Sequence, residues 1–172
     1  MGRPARFYLL LLLMNQAHIH LIVNHLPIMG SLFALLLLAA GMIGRNSTII
    51  KAGLVSVLLA GLLCIPAQLT GQGAVLIVQD MPRVSRAMLN IHAEAGEKGF
   101  WVLEGAASLA LFGLLLMKNT TLPRVRLAAR LVAGLTLIVA MISFGLLARA
   151  GYLGGQIRHT EIREGFGTPD EL

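Results

Sequence analysis

Neutral imidazole is the commonest protein ligand for zinc, copper and iron. This 172-residue sequence holds five histidines: His18, His20, His25, His92 and His159. A zinc or copper site needs three or four ligands converging on one point. A b-type haem needs one or two axial histidines, a slot between helices and cations to meet its propionates. The spacing constrains both readings. On a continuous helix His18 and His25 share a face, about 10 Å apart, and His20 points the opposite way. These three cannot all ligate one ion unless the segment is irregular. Cations near the histidines include Arg83, Arg86, Arg149, Arg158 and Arg163. Met14, Met29, Met81 and Met88 would suit cuprous copper, although methionine also fills apolar gaps.

The elements that position these residues must lie in lipid. Hydrophobic residues make up 56% of the chain and charged residues 13%, with a mean hydropathy of +0.79. A soluble domain carries about twice that charged share, and a chain this short cannot hide so much apolar surface from water. Four runs are long and apolar enough to span: about 26–43, 49–69, 100–117 and 127–148. Helices satisfy their own backbone groups in lipid. The expectation is therefore an all-α, up-down-up-down bundle of four transmembrane helices, forming one integral membrane domain over residues 1–172. The run Phe7 to Met14, behind Arg3 and Arg6, is too short to span. It reads as an interfacial helix or as an extension of the first span that bends near Pro27. No small-residue site follows it to mark a cleaved signal.

The formal net charge is +6, yet the basic residues form no long run and no aromatic-rich nucleic-acid motif accompanies them. Arg45 and Lys51 flank the first short turn, and Lys118, Arg124, Arg126 and Arg130 flank the third, with no acid in either. The positive-inside rule places those turns in the cytoplasm. Both termini and the segment from Thr70 to Gly99 then fall on the periplasmic side of a bacterial inner membrane. There Asp80, Glu94, Glu97, Glu161 and Glu164 offset the arginines and Lys98. All five histidines also fall on that side, at the interface. Cys64 is the single cysteine, so there is neither an internal disulfide nor a c-type haem attachment motif, and it reads as a small buried hydrophobe. Glu104 sits about one turn inside the third span, where an acid is costly unless paired or protonated, with Arg149 a candidate partner. Glu94 and Glu97 read as solvated charges or as acceptors for imidazole N–H groups. Gly53, Gly61, Gly105, Gly113, Gly134 and Gly145 read as close-packing positions between helices.

The stretch His-Ile-His-Leu-Ile-Val-Asn-His-Leu-Pro-Ile-Met-Gly at 18–30 resembles the opening of a family of small bacterial predicted membrane proteins. Gly-Gly-Gln-Ile-Arg-His-Thr-Glu-Ile-Arg at 154–163 resembles the same family. His20 to Ile28 is also similar to the H-x4-H-F-P-I motif of a wider four-helix family, known mainly as a domain of unknown function. This chain has Leu26 where that family has phenylalanine, and Leu21 where it often has proline. The resemblance covers all four spans. It implies that His20, His25, His92 and His159 belong to the family's pattern. It also implies a setting beside cytochrome c domains or respiratory genes.

The expectation is a b-type cytochrome subunit with one or two haems near the periplasmic face. It would pass electrons between the quinone pool or a membrane partner and a periplasmic c-type cytochrome. His25 and His92 form the first expected ligand pair, and His18, His20 and His159 complete a second haem or orient the first. Arg83, Arg149 and Arg158 are the expected cofactor-binding cations. The alternatives are a copper or zinc site drawing on the same five histidines, and a cofactor-free structural subunit of a respiratory complex. A classical hydrolase is not indicated, since neither G-x-S-x-G nor H-E-x-x-H occurs.

Overall fold

The computed structural model describes residues 15–118 and 122–163. The expected interfacial helix over Phe7 to Met14, and Glu164, lie outside the described residues. Every described element is helical. In chain order they are α1 (Gln16–Val23), α2 (His25–Ile43), α3 (Ser47–Val78), α4 (Arg86–Leu116) and α5 (Pro123–Arg158), followed by a single 3-10 turn, Thr160–Ile162. α1 with α2, then α3, α4 and α5, make four helices long and apolar enough to cross a membrane. The chain is a multi-pass membrane protein with the expected all-α, four-span bundle.

The first span breaks at Asn24, and the cause is local. Pro27 has no N–H to offer the Val23 carbonyl, and its ring crowds that carbonyl. Asn24 keeps helical dihedrals and its N–H still bonds His20 O at 2.9 Å. α1 and α2 thus form one candidate span, interrupted one turn before the proline. Helix starts are capped by side chains: Asn46 Oδ1 accepts from Thr48 and Ile49 N–H, and Ser85 Oγ accepts from Met88 N–H. Pro123 opens α5 at a position where its missing N–H costs nothing.

The helices outrun the apolar segments that reveal them. The sequence reading left Thr70 to Gly99 between spans, but only residues 79–85 are non-helical there. α3 continues to Val78 and α4 already begins at Arg86. Hydropathy finds the stretch that lipid must solvate. It does not find the end of a helix built from good helix formers such as Ala, Met, Leu, Glu and Lys. Pro82 and the left-handed Arg83 (φ 66°) lie in the connection that reverses the chain.

Sequential helices pack side by side, and α2 closes against α5, so the four spans form a square in section. α1 lies against α3. The interior is alanine-rich: Ala34, Ala106, Ala110, Ala133 and Ala140 are fully buried around Leu38, Leu54 and Val57. Small side chains let backbones approach, which is the main source of helix affinity in lipid. A Cβ on Gly53 would stand 2.7 Å from the Leu38 side chain, and one on Gly99 would stand 2.8 Å from Leu147. Buried hydroxyls are satisfied by helix carbonyls: Ser31 bonds Ile28 O, Thr136 bonds Val132 O, and Ser143 reaches across to Gly99 O on α4.

Candidate functional site

The up-down-up-down order brings the start of the first span, the end of α3, the start of α4 and the end of α5 to one end of the bundle. There two imidazoles meet. The rings of His20 on α1 and His92 on α4 have centroids 6.2 Å apart and planes at 84°. Both side chains are half-buried.

Each ring is held from behind by a carbonyl. His20 Nδ1 lies 3.0 Å from Ala67 O on α3, and His92 Nδ1 lies 2.9 Å from Ala150 O on α5. A backbone carbonyl only accepts, so each Nδ1 carries the proton and donates. A neutral imidazole protonated at Nδ1 keeps its lone pair on Nε2. Thr70 completes the support for His20. Its hydroxyl donates to Pro66 O at 2.7 Å, and its oxygen lies 3.3 Å from His20 Nδ1. Two helices therefore each carry an imidazole with its Nε2 lone pair free of the Nδ1 proton, the tautomers being set by carbonyls of two other helices. This is the arrangement by which outer hydrogen bonds orient a metal-ligating histidine.

Glycines lie against both rings, more tightly at His92 than at His20. A Cβ on Gly154 would lie 3.1 Å from His92 Cε1, and one on Gly71 would lie 3.6 Å from His20 Cε1. Asn24, one turn beyond His20, has a buried Oδ1 with no hydrogen-bond partner among the described residues.

The remaining histidines stand apart. His18 and His25 are exposed on α1 and at the start of α2. His159 is also exposed. α5 runs straight through Gly154 and Gly155 to Arg158, so the chain does not fold back there to bring His159 to the pair. Its Nδ1 instead lies 2.7 Å from Glu161 Oε1. The Glu161 backbone N–H and the His159 ring hold that carboxyl below the ordinary carboxylate range. What stability this adds is present above the ordinary range and is lost as pH falls through the lowered value. Both groups are exposed, so it is small. Among the described residues no three of His, Cys, Asp and Glu gather to hold a metal ion.

The expected cations divide. Arg149 and Arg158 are exposed, Arg149 immediately preceding the residue whose carbonyl holds His92. Arg86 pairs with Asp80 at 2.8 Å, both exposed. Arg163 donates to Gln156 O, Ile157 O and Arg83 O, tying the chain after α5 to the α3–α4 connection. Glu94 pairs with Lys98 on the surface at 2.5 Å, and Glu97 is exposed. Glu104 does not pair with Arg149. It faces α3 beside Gly61, where its Oε1 is buried without a partner among the described residues. Cys64 is buried, 3% exposed, as a small hydrophobe.

Sequence reasoning did not single out Thr70, Asn24 or the carbonyls of Ala67 and Ala150. Only Asn24 carried a signal: it follows His20 by four residues and so shares its helix face. Carbonyl supports have no side-chain signature. No protein-family model, curated protein or solved structure matches the chain.

Proposed function

We propose that this chain is a membrane-bound b-type cytochrome subunit in which His20 and His92 would hold one haem. The observation that carries the reading is the pair of imidazoles brought edge-on to 6.2 Å from different helices, each anchored through Nδ1 to a carbonyl. Imidazole nitrogens bind metal ions at about 2.0–2.1 Å, so two rings this close could both reach one metal centre. A three-ligand copper or zinc site draws less support, because among the described residues the two imidazoles gather no third His, Cys, Asp or Glu. The geometry favours His20 over the exposed His25 as the partner of His92.

Bound haem would supply one-electron chemistry. The chain's own residues would do the rest. The Ala67 and Ala150 carbonyls would fix the orientation of the two rings. Gly154, without a side chain, would let the His92 ring keep its place. Arg149, with Arg83 and Arg158 at the same end, would meet propionates. We place the site at the periplasmic face of the bacterial inner membrane. Its partners would be the quinone pool or another redox subunit on one side and a periplasmic c-type cytochrome on the other.

The test is a dithionite-reduced minus oxidised visible spectrum of the purified protein, with a pyridine haemochrome assay for stoichiometry. The expected result is a b-type alpha band with one haem per chain, lost in His20→Ala and in His92→Ala and retained in His25→Ala. A featureless spectrum from protein expressed with ample haem overturns the reading. Metal analysis of the same sample then identifies copper or zinc.

A further inference from the structure

At the end of the bundle opposite the histidines, a cleft of about 180 Å³ opens between helices, lined by Met42, Arg45, Ile50 and Arg130. Four segments build it: the end of α2, the α2–α3 turn, the first turn of α3 and the early part of α5. Arg45 is held in a left-handed conformation (φ 51°), which a residue with a side chain adopts only under strain. The turn is fastened on both sides, Arg45 N–H to Met42 O at 3.2 Å and Asn46 N–H to Gly41 O at 2.9 Å. Arg130 stands seven residues into α5, about 10 Å along its axis. That depth puts a guanidinium at the edge of the apolar stretch, where it is costly unless it finds an anion.

Among the described residues no acid lies at this end to supply that anion: Asp80, Glu94, Glu97, Glu104 and Glu161 belong to other segments. Among the described residues neither Arg45 nor Arg130 makes a salt bridge; the three formed, by Arg86, Lys98 and His159, all lie at the histidine end. The N-terminus of α3 adds its positive dipole end beside Arg45. Met42 and Ile50 give the cleft an apolar floor, which free phosphate in water does not need and a phospholipid does.

We infer that this cleft binds the headgroup phosphate of an anionic phospholipid, with Arg45 and Arg130 clasping the phosphate and the acyl chains running down the α2–α5 surface. Basic pockets between spanning helices are the recurrent form of such sites. The inference is independent of the haem reading, because it uses no residue of the histidine end.

The test uses purified full-length protein in a neutral detergent. Lipid retention is read by native mass spectrometry, and thermal stability by unfolding, on addition of phosphatidylglycerol, phosphatidylcholine or inorganic phosphate. Phosphatidylglycerol should be retained preferentially and should raise the unfolding temperature. Arg45→Gln or Arg130→Gln should each weaken retention about fivefold, and the pair together about 30-fold. Arg124→Gln, an exposed arginine at the same end, should change retention little. Equal retention of phosphatidylcholine by the unaltered protein, or an equal shift with inorganic phosphate alone, overturns the inference. So does undiminished phosphatidylglycerol retention in the double variant. The comparison of lipids on the unaltered protein decides the matter even where a variant fails to fold.

Discussion

At the residue scale, the histidine site depends on where two rings are held more than on how many histidines exist. A lone half-buried imidazole can swing between rotamers. His20 and His92 are restrained by carbonyls on neighbouring helices at 3.0 and 2.9 Å. Gly154 tests that restraint directly. An alanine there places its Cβ 3.1 Å from His92 Cε1 and 3.2 Å from its Nδ1, so the ring must move by a few tenths of an ångström. The helix itself should not suffer, since alanine is the better helix former by about 1 kcal/mol. Gly154→Ala should therefore leave the protein folded while loosening the His92–Ala150 bond. The readout is the Nδ1–H resonance of His92 in histidine-labelled protein, which should broaden and exchange faster. An unchanged resonance means that the ring has room to spare and that Gly154 is not there for its sake.

At the element scale, the glycines separate into two kinds that the sequence presented alike. Gly105 and Gly113 are eight residues apart on α4, and helical spacing suggested a shared close-packing role. Gly113 does pack, with a Cβ position 3.3 Å from both Leu54 and Val132, but Gly105 is exposed and a Cβ there would meet nothing within 4 Å. Gly99 lies where α4 and α5 press together. Gly99→Ala should destabilise the bundle by about 1–3 kcal/mol through overpacking against Leu147. Gly105→Ala should be neutral or stabilising by up to about 1 kcal/mol. Unfolding in mixed micelles compares the two, and equal losses would mean that α4 faces its neighbours differently. The same contrast marks what was legible beforehand. Span number, span order and the gathering of the histidines at one end follow from hydropathy and alternation, both written in residue type. Which histidine meets His92 was not legible. It depends on the rotation of α1 against α3, set by contacts such as His20 with Ala67 and Thr70. A backbone carbonyl looks the same at every position of a sequence. The helical stretch from Thr70 to Val78 and from Arg86 to Gly99 escaped for a related reason. Lipid solvation ends before the helices do.

At the scale of the whole molecule, the two ends differ in charge more than in shape. One carries Arg45, Lys51, Lys118, Arg124, Arg126 and Arg130 with no acid, and the other carries a near balance and the histidines. In the proposed orientation, insertion would retain the lysine- and arginine-rich turns on the cytoplasmic side. The proposed partners follow from that orientation, because a periplasmic c-type cytochrome can reach the His20–His92 pair only if this end faces outward. The single native cysteine makes the orientation measurable. Cys64 is 3% exposed within α3, so its replacement by alanine should cost packing but leave topology alone. In that background, a cysteine at the exposed position 86 should react with an impermeant maleimide added outside intact cells. One at the exposed position 126 should react only after the cells are opened. The reverse pattern would turn the histidine end to the cytoplasm. The imidazole pair and its carbonyl supports would stand as they are, but the electron partner would have to be cytoplasmic. The arginine cleft would then face the outer leaflet and would have to draw its anionic lipid from there.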